Sequence, residues 1–153
     1  KPPYPAIHIT IGIMYTLNDK ELEKAKSILE ALLPKYLPLK VEVIGRSCFS
    51  PPHKSLNLAV APSSQLYDIS REISNALEKE NIKTYSMKDW DYHISLVNTV
   101  FAEREWTEKE FSEACSTLNN EDLKMSCTIR TIEIWNPDFP PLKVLAKIEK
   151  KVK

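Results

Sequence analysis

The sequence predicts an α+β fold built as two similar lobes. Three observations predict it. Strand-like and helix-like runs follow the order strand, helix, strand, strand in the first half, and the same order returns in the second. In each half the helix opens on a capping-box pair, Asn18 with Glu21 and Thr107 with Glu110. Each half also begins with a run that reads His, apolar, hydroxyl, apolar: His8-Ile9-Thr10-Ile11 and His93-Ile94-Ser95-Leu96.

The elements can be justified one by one. Ile7 to Met14 is β-branched and reads as a buried strand. Asn18 caps a helix whose Leu22, Ala25, Leu29, Leu32 and Leu33 recur at helical spacing until Pro34 stops it. Leu39 to Cys48 alternates Leu39, Val41 and Val43 with Lys40, Glu42 and Ile44, a strand with one wetter face. Ser50 to Lys54 is a Pro-rich turn, and Ser55 to Ala61 is the second arm of a hairpin. A helix starting at Pro62-Ser63-Ser64 carries the stripe Leu66, Ile69, Ile73, Ala76 and Leu77 and ends near Asn81. This helix links the halves. Tyr92 to Val97 is the second His-bearing strand, followed by a helix with Phe111, Ala114, Cys115 and Leu118 on one face. Lys124 to Trp135 reads as one strand, Asn136 to Pro141 as a turn, and Leu142 to Ile148 as the closing strand. No linker divides the chain, so residues 1–153 form one domain.

Composition narrows the function classes. The chain has 153 residues, enough for a real core, and no apolar run long enough to cross a membrane. Lysine plus arginine equal aspartate plus glutamate at 21 each. A protein that coats long duplex nucleic acid carries a basic excess, so a nucleic-acid substrate here is expected to be short, single-stranded, and held at one end. Cys48, Cys115 and Cys127 are odd in number and lack CxxC spacing, which predicts reduced thiols in a cytoplasmic or nuclear compartment. The chain opens on Lys1 rather than methionine, so it is expected to lack its start.

The two His-containing runs carry the chemistry. Residues two apart on a strand share a face, so each run sets an imidazole beside a hydroxyl and turns its aliphatic residues to the core. Imidazole gives and takes protons near neutral pH. Two imidazoles on opposite sides of a phosphodiester would form an acid–base pair for in-line displacement at phosphorus, and Thr10 and Ser95 would donate to the non-bridging oxygens. No cofactor or metal is expected. The chain has three histidines in all, and neither run carries a carboxylate at ligand spacing. A single His on a strand is by default a structural residue; it is the pairing with Thr10 and Ser95 that favours catalysis. His53 lacks the hydroxyl pattern and reads as surface. Arg46, Lys54, Arg71 and Arg130 read as solvated charges, Trp106 as packing, Tyr92 as core or rim, and Trp135 as core or a base platform.

The pair His8-Ile9-Thr10-Ile11 and His93-Ile94-Ser95-Leu96 resembles the two signature motifs of the 2H phosphoesterase superfamily. That superfamily includes 2′,3′-cyclic nucleotide phosphodiesterases, 2′-5′ RNA ligase-like proteins, 2′-5′ oligoadenylate phosphodiesterases and the exonuclease that trims the 3′ end of U6 small nuclear RNA. The stretch from Ser55 through Ser95 is most similar to the last branch, in which a strand, a long helix and an extended Thr-Tyr segment, here Thr84-Tyr85, precede His-Ile-Ser-Leu. The resemblance implies a bilobal fold of two pseudo-symmetric antiparallel-sheet lobes with outer helices and a central cleft. It implies that His8 and His93 are catalytic and that Thr10 and Ser95 bind phosphate. It further implies an aromatic that stacks on the terminal base, with Tyr85 the candidate and Trp90 its neighbour. The expected function is a monomeric, metal-independent phosphodiesterase acting on a 2′,3′-cyclic phosphate, a 2′-5′ linkage or an RNA 3′ end. The alternatives are an RNA-end-binding module without turnover and a 2′-5′ RNA ligase.

Overall fold

The computed structural model describes residues 7–15, 17–52, 54–98, 104–118, 123–137 and 143–150. Its first helix, α1 (Asp19–Leu32), starts where the capping box places it: the Asn18 side chain accepts from the Glu21 amide, and the Glu21 carboxylate accepts from the Asn18 amide, both at 2.9 Å. Pro34 then tightens the chain into a 3-10 turn, Leu33–Tyr36. Ala25, Leu29 and Leu33 are the buried face.

Strands β1 (Leu39–Phe49) and β2 (Ser55–Val60) form the expected hairpin. Its register slips between Val43 and Gly45, where Gly45 takes φ 153°, a conformation that favours glycine. Helix α2 (Ser64–Glu78) follows, capped by Ser63, whose hydroxyl accepts from the Leu66 amide at 3.2 Å. Leu66, Ile69, Ile73 and Leu77 are buried along one face. The chain leaves α2 through Asn81 at φ 61°, with the Ile82 amide returned to the Leu77 carbonyl at 3.0 Å. Asparagine tolerates the left-handed conformation that such a helix end requires.

Strand β3 (His93–Asn98), helix α3 (Glu108–Leu118) and strands β4 (Met125–Ile129), β5 (Thr131–Asn136) and β6 (Lys143–Glu149) complete the chain. One antiparallel sheet has the order β3-β2-β1-β4, and a second pairs β5 with β6. The first half's hairpin therefore sits between two strands of the second half. The fold is α+β, with a curled four-stranded sheet beside a two-stranded one. The core draws on α1, α2, both sheets and Ile82, and Ile9, Ile11 and Met14 pack against its edge.

Four expectations need correction. Leu96 does not turn to the core: it is 47 % exposed, where the register between β2 and β3 shifts. The run Ile7–Met14 is not a full strand: its one bridge is Met14 with Thr84, flanked by hydrogen bonds between Tyr15 and Lys83 and between Tyr85 and Ile13. Further upstream, the Ile11 carbonyl is taken by a side chain instead of a strand neighbour. The run Lys124–Trp135 is two strands, because the chain changes sheets at Arg130: β4 pairs with β1 and β5 pairs with β6. Finally, Cys48 and Cys115 are not separate thiols but a disulfide, with Cα atoms 6.1 Å apart and Cys127 left free. Cys48 lies on β1 and Cys115 on α3, so packing unites residues whose spacing in the sequence shows no relation. His53 lies outside the described residues, as does the region of the expected turn and closing strand from 138 to 142.

Helix α3 opens on a charged lock. Thr107 and Glu110 exchange hydrogen bonds, and Arg104 grips the Glu110 carboxylate with both terminal nitrogens, at 2.6 and 2.9 Å. The Arg104 guanidinium, followed by the Thr107 amide and hydroxyl, holds the Glu110 carboxyl down at about 2 against an ordinary 4.5. A carboxyl depressed by folding stabilises the folded state above its unfolded value and loses that contribution as pH falls through the folded one. Helicity at α3 should therefore hold above pH 4.5 and decline toward pH 2; carboxyl-resolved NMR titration checks this, and Arg104→Ala should move the Glu110 midpoint upward. Thiol titration of the non-reduced protein in denaturant should find Cys127 alone reactive, with Cys48 and Cys115 joining it after reduction.

Candidate functional site

The first His-containing run is held from two sides. Its aliphatic residues Ile9 and Ile11 pack on the core, as alternation requires. His8 and Thr10 are each half-buried. The His8 ring meets the Trp135 ring of β5 edge-on, with centroids 4.5 Å apart. The indole nitrogen of Trp135 donates to Glu133 at 2.7 Å. Trp135, open between core and platform in the sequence, is thus a wall beside His8. Gly12 lies so close to α2 that a Cβ there would stand 3.3 Å from Ile73 Cγ2.

The second run begins β3. The His93 Nδ1 lies 2.7 Å from the Asp91 carbonyl. In the Nδ1–H tautomer that carbonyl accepts, the ring is fixed, and Nε2 is left as the basic nitrogen. Phe49 meets the His93 ring edge-on at 4.6 Å, and Trp90 lies tilted against it at 5.9 Å. Tyr85 and Trp90 are neighbours at 6.5 Å, so a row of rings runs from Tyr85 through Trp90 and His93 to Phe49. Tyr85 is 49 % exposed. With Tyr15, Ser86 and Asp89, this aromatic pair lines a concavity of about 450 Å³. The Trp90 indole nitrogen is buried and meets no acceptor among the described residues.

Two polar features were not read as functional from the sequence. The first is Ser70, on the buried face of α2. Its hydroxyl donates to the Ile11 carbonyl at 2.7 Å, and the Tyr92 phenol lies 2.7 Å away on its other side. With the Ser70 proton committed to Ile11, Tyr92 is the donor to Ser70, the Leu66 carbonyl standing 3.2 Å from the same phenol. Burial pushes the Tyr92 phenol above its ordinary range and so keeps it neutral. Ile11 belongs to the first motif and Tyr92 immediately precedes the second, so one serine ties the two together. Tyr92 is a buried link rather than a rim residue.

The second is Asn57 on β2, cross-strand from Ser95. The Ser95 hydroxyl donates to Asn57 Oδ1 at 3.1 Å, and Asn57 Nδ2 donates to the Ser55 hydroxyl at 3.1 Å. A serine inside an apolar helix stripe and an asparagine inside a strand are the sequence signals that point to these two residues.

Two of the basic side chains read as solvated charges have local partners, and Lys54 is largely buried rather than solvated. Lys54 bonds the Trp106 carbonyl at 3.1 Å and Glu108 at 2.7 Å, anchoring the β1–β2 turn to the start of α3. Arg71 pairs with Asp68. Trp106 packs edge-on against Phe111, as expected. Among the described residues, no group of three His, Cys, Asp or Glu side chains could hold a metal, and no helix is long and apolar enough to cross a membrane.

A curled four-stranded antiparallel sheet beside a two-stranded one, with helices packed against them and a His-x-hydroxyl run from each half, defines the bilobal fold of the 2H phosphoesterases. The family model for the AKAP7 2′5′ RNA ligase-like domain matches residues 3–138, and the chain belongs to that family, a member of the 2H phosphoesterase superfamily. No curated protein is a significant match to the chain.

Ser70→Ala should cost about 1–3 kcal/mol, because it strands the Ile11 carbonyl and removes one partner of Tyr92 in a buried setting. Urea denaturation measures the loss. Tyr92→Phe keeps the Ser70–Ile11 bond and should cost less.

Proposed function

We propose that this chain is a phosphodiesterase that cleaves ribose-linked phosphates, either 2′,3′-cyclic phosphates, 2′-5′ linkages or the 3′ end of a short RNA. The observation that carries the reading is the shared anchor: the first His-x-hydroxyl run and the residue just before the second meet at the single hydroxyl of Ser70. A shared anchor helps hold the two motifs in a fixed relation, which an acid–base pair needs.

In this reading one histidine takes the proton of the attacking oxygen, a water or a ribose 2′-hydroxyl, while the other gives a proton to the leaving oxygen. His93 holds the Asp91 carbonyl through Nδ1 and works through Nε2. Trp135 and Phe49 restrict how the His8 and His93 rings can turn. Thr10 and Ser95 donate to the phosphate oxygens that gain charge in the transition state. Because imidazolium and hydroxyls meet that charge, the mechanism needs no metal. Tyr85 and Trp90 receive the base next to the scissile phosphate. Their concavity adjoins the His93 ring through Trp90, and aromatic faces accept any base. The even charge balance suits a short single-stranded end.

The test is a product assay in EDTA on 2′,3′-cyclic AMP, a 2′-5′-linked oligoadenylate and an oligouridine with a free 3′ end. Turnover of at least one is expected, with kcat/KM bell-shaped in pH. His8→Ala and His93→Ala should each lower kcat/KM by roughly 10²- to 10⁴-fold. Activity that survives in both variants, or that EDTA abolishes and a divalent ion restores, would overturn the mechanism. Binding without turnover of any substrate would reassign the chain as an RNA-end-binding module, and sealing of 2′-5′ junctions as a ligase.

A further inference from the structure

We infer that Asn57 is a positioning residue that decides whether the Ser95 hydroxyl can donate to a phosphate oxygen, an inference that rests on the phosphate-binding role proposed for Ser95. Asn57 is 0 % exposed and Ser55 is 2 % exposed. A buried carboxamide inside a sheet is costly unless every polar atom is paired, so its presence asks for a reason.

The hydrogen bonds supply one. A hydroxyl has one proton to give. In the structure Ser95 gives it to Asn57 Oδ1, and Asn57 Nδ2 points to Ser55 Oγ. In this arrangement Ser95 offers a ligand only lone pairs, which repel an anionic oxygen. A half-turn of the amide about its last torsion exchanges Oδ1 and Nδ2 without changing the space the side chain fills. Nδ2 then donates to Ser95 Oγ, the Ser55 hydroxyl donates to Oδ1, and the Ser95 proton is released to the phosphate. Both amide atoms keep a hydroxyl partner in either orientation; the turn gives up the long contact of Nδ2 to the Ser55 carbonyl at 3.5 Å, which makes the orientation that holds the Ser95 proton the resting one. If the Ser95 hydroxyl rotated alone, Oδ1 would be left buried without its donor. The triad Ser55–Asn57–Ser95 is therefore a polar relay with two orientations, one closed to phosphate and one that donates to it.

The test is a double-variant cycle with Ser95→Ala, Asn57→Ala and the pair together. It is read by kcat/KM on 2′,3′-cyclic AMP and by calorimetric affinity for 3′-AMP, with thermal melts confirming that each protein is folded. Ser95→Ala should lower kcat/KM by roughly 10²-fold; Asn57→Ala removes the acceptor Oδ1 but also the Nδ2 donor that aims the Ser95 proton at phosphate, and should lower kcat/KM by roughly tenfold. In the Ser95→Ala background, Asn57→Ala should cost nothing further, because its effect passes through the missing hydroxyl. The near-isosteric Asn57→Asp supplies a readout that a structural role alone would not move. An ionised carboxylate only accepts, so it should hold the Ser95 proton and reduce activity to the Ser95→Ala level. Activity relative to the unmodified protein should recover as pH falls and that carboxyl takes up a proton to donate. Losses that multiply in the paired variant, or an Asn57→Asp profile parallel to that of the unmodified protein, would overturn the inference and leave the phosphodiesterase reading standing. If the unmodified protein neither turns over the cyclic nucleotide nor binds 3′-AMP, the phosphate reading falls and takes the inference with it.

Discussion

The arrangement of the two motifs depends on one hydroxyl. Helix α2 presents an aliphatic face to the core, and at one position of that face stands Ser70, 3 % exposed. Two polar groups converge there from distant parts of the chain, the Ile11 carbonyl and the Tyr92 phenol. Neither can be left unpaired in a dry interior without a penalty comparable to a substantial part of a domain's net stability. The serine pairs the Ile11 carbonyl and shares the Tyr92 phenol with the Leu66 carbonyl of the same helix, and so fixes α2 against both motif segments. The first segment needs this because it lacks a strand ladder over 7–13 to hold it. Its hold on the fold is the Ser70 bond, the close seat of Gly12 against Ile73, the bridge from Met14 to Thr84, and the packing of Ile9 and Ile11.

The second motif is supported differently. His93 and Ser95 lie on an edge strand of the larger sheet, and their backbone positions follow from ladder pairing with Ala59 and Asn57. Their side chains are then set by groups outside the motif: the Asp91 carbonyl and the rings of Phe49 and Trp90 for the imidazole, the Asn57 amide for the hydroxyl. One motif is thus fastened mainly through its backbone and its core residues, while the other gains side-chain restraints from three surrounding segments. Two runs that look alike in sequence reach their positions by unlike means.

That contrast explains what the sequence could and could not convey. Helix starts were legible because caps are local: Asn18 with Glu21, Ser63, and Thr107 with Glu110 each act within one turn. The hairpin of β1 and β2 was legible from alternation bounded by prolines. The break at Arg130 was hidden, because its cause is the choice of partner by the strands on either side, which alternation does not encode. The meeting of Cys48 and Cys115 was hidden for the same reason. Among the motif neighbours, Tyr92 reads as core or rim without a task, since its partners Ser70 and Leu66 lie far away in the chain. Asn57 sits with Ser55 and Ala59 on the polar side of an alternating strand, so its burial was hidden: that side is covered as fully as the side of Leu56 and Val60, which alternation alone does not show.

The exchange of strands between the halves bears on how the molecule is made. The hairpin of β1 and β2 is flanked on one side by β3 and on the other by β4. A nascent chain that has emerged only through α2 therefore presents a hairpin with both edges unpaired, a template for unwanted pairing with other chains. Neither half can complete the larger sheet alone, although the sequence looks like a duplication. The larger sheet is complete only once Met125 to Ile129 has left the ribosome, so the repeat visible in the sequence is not a unit that folds by itself.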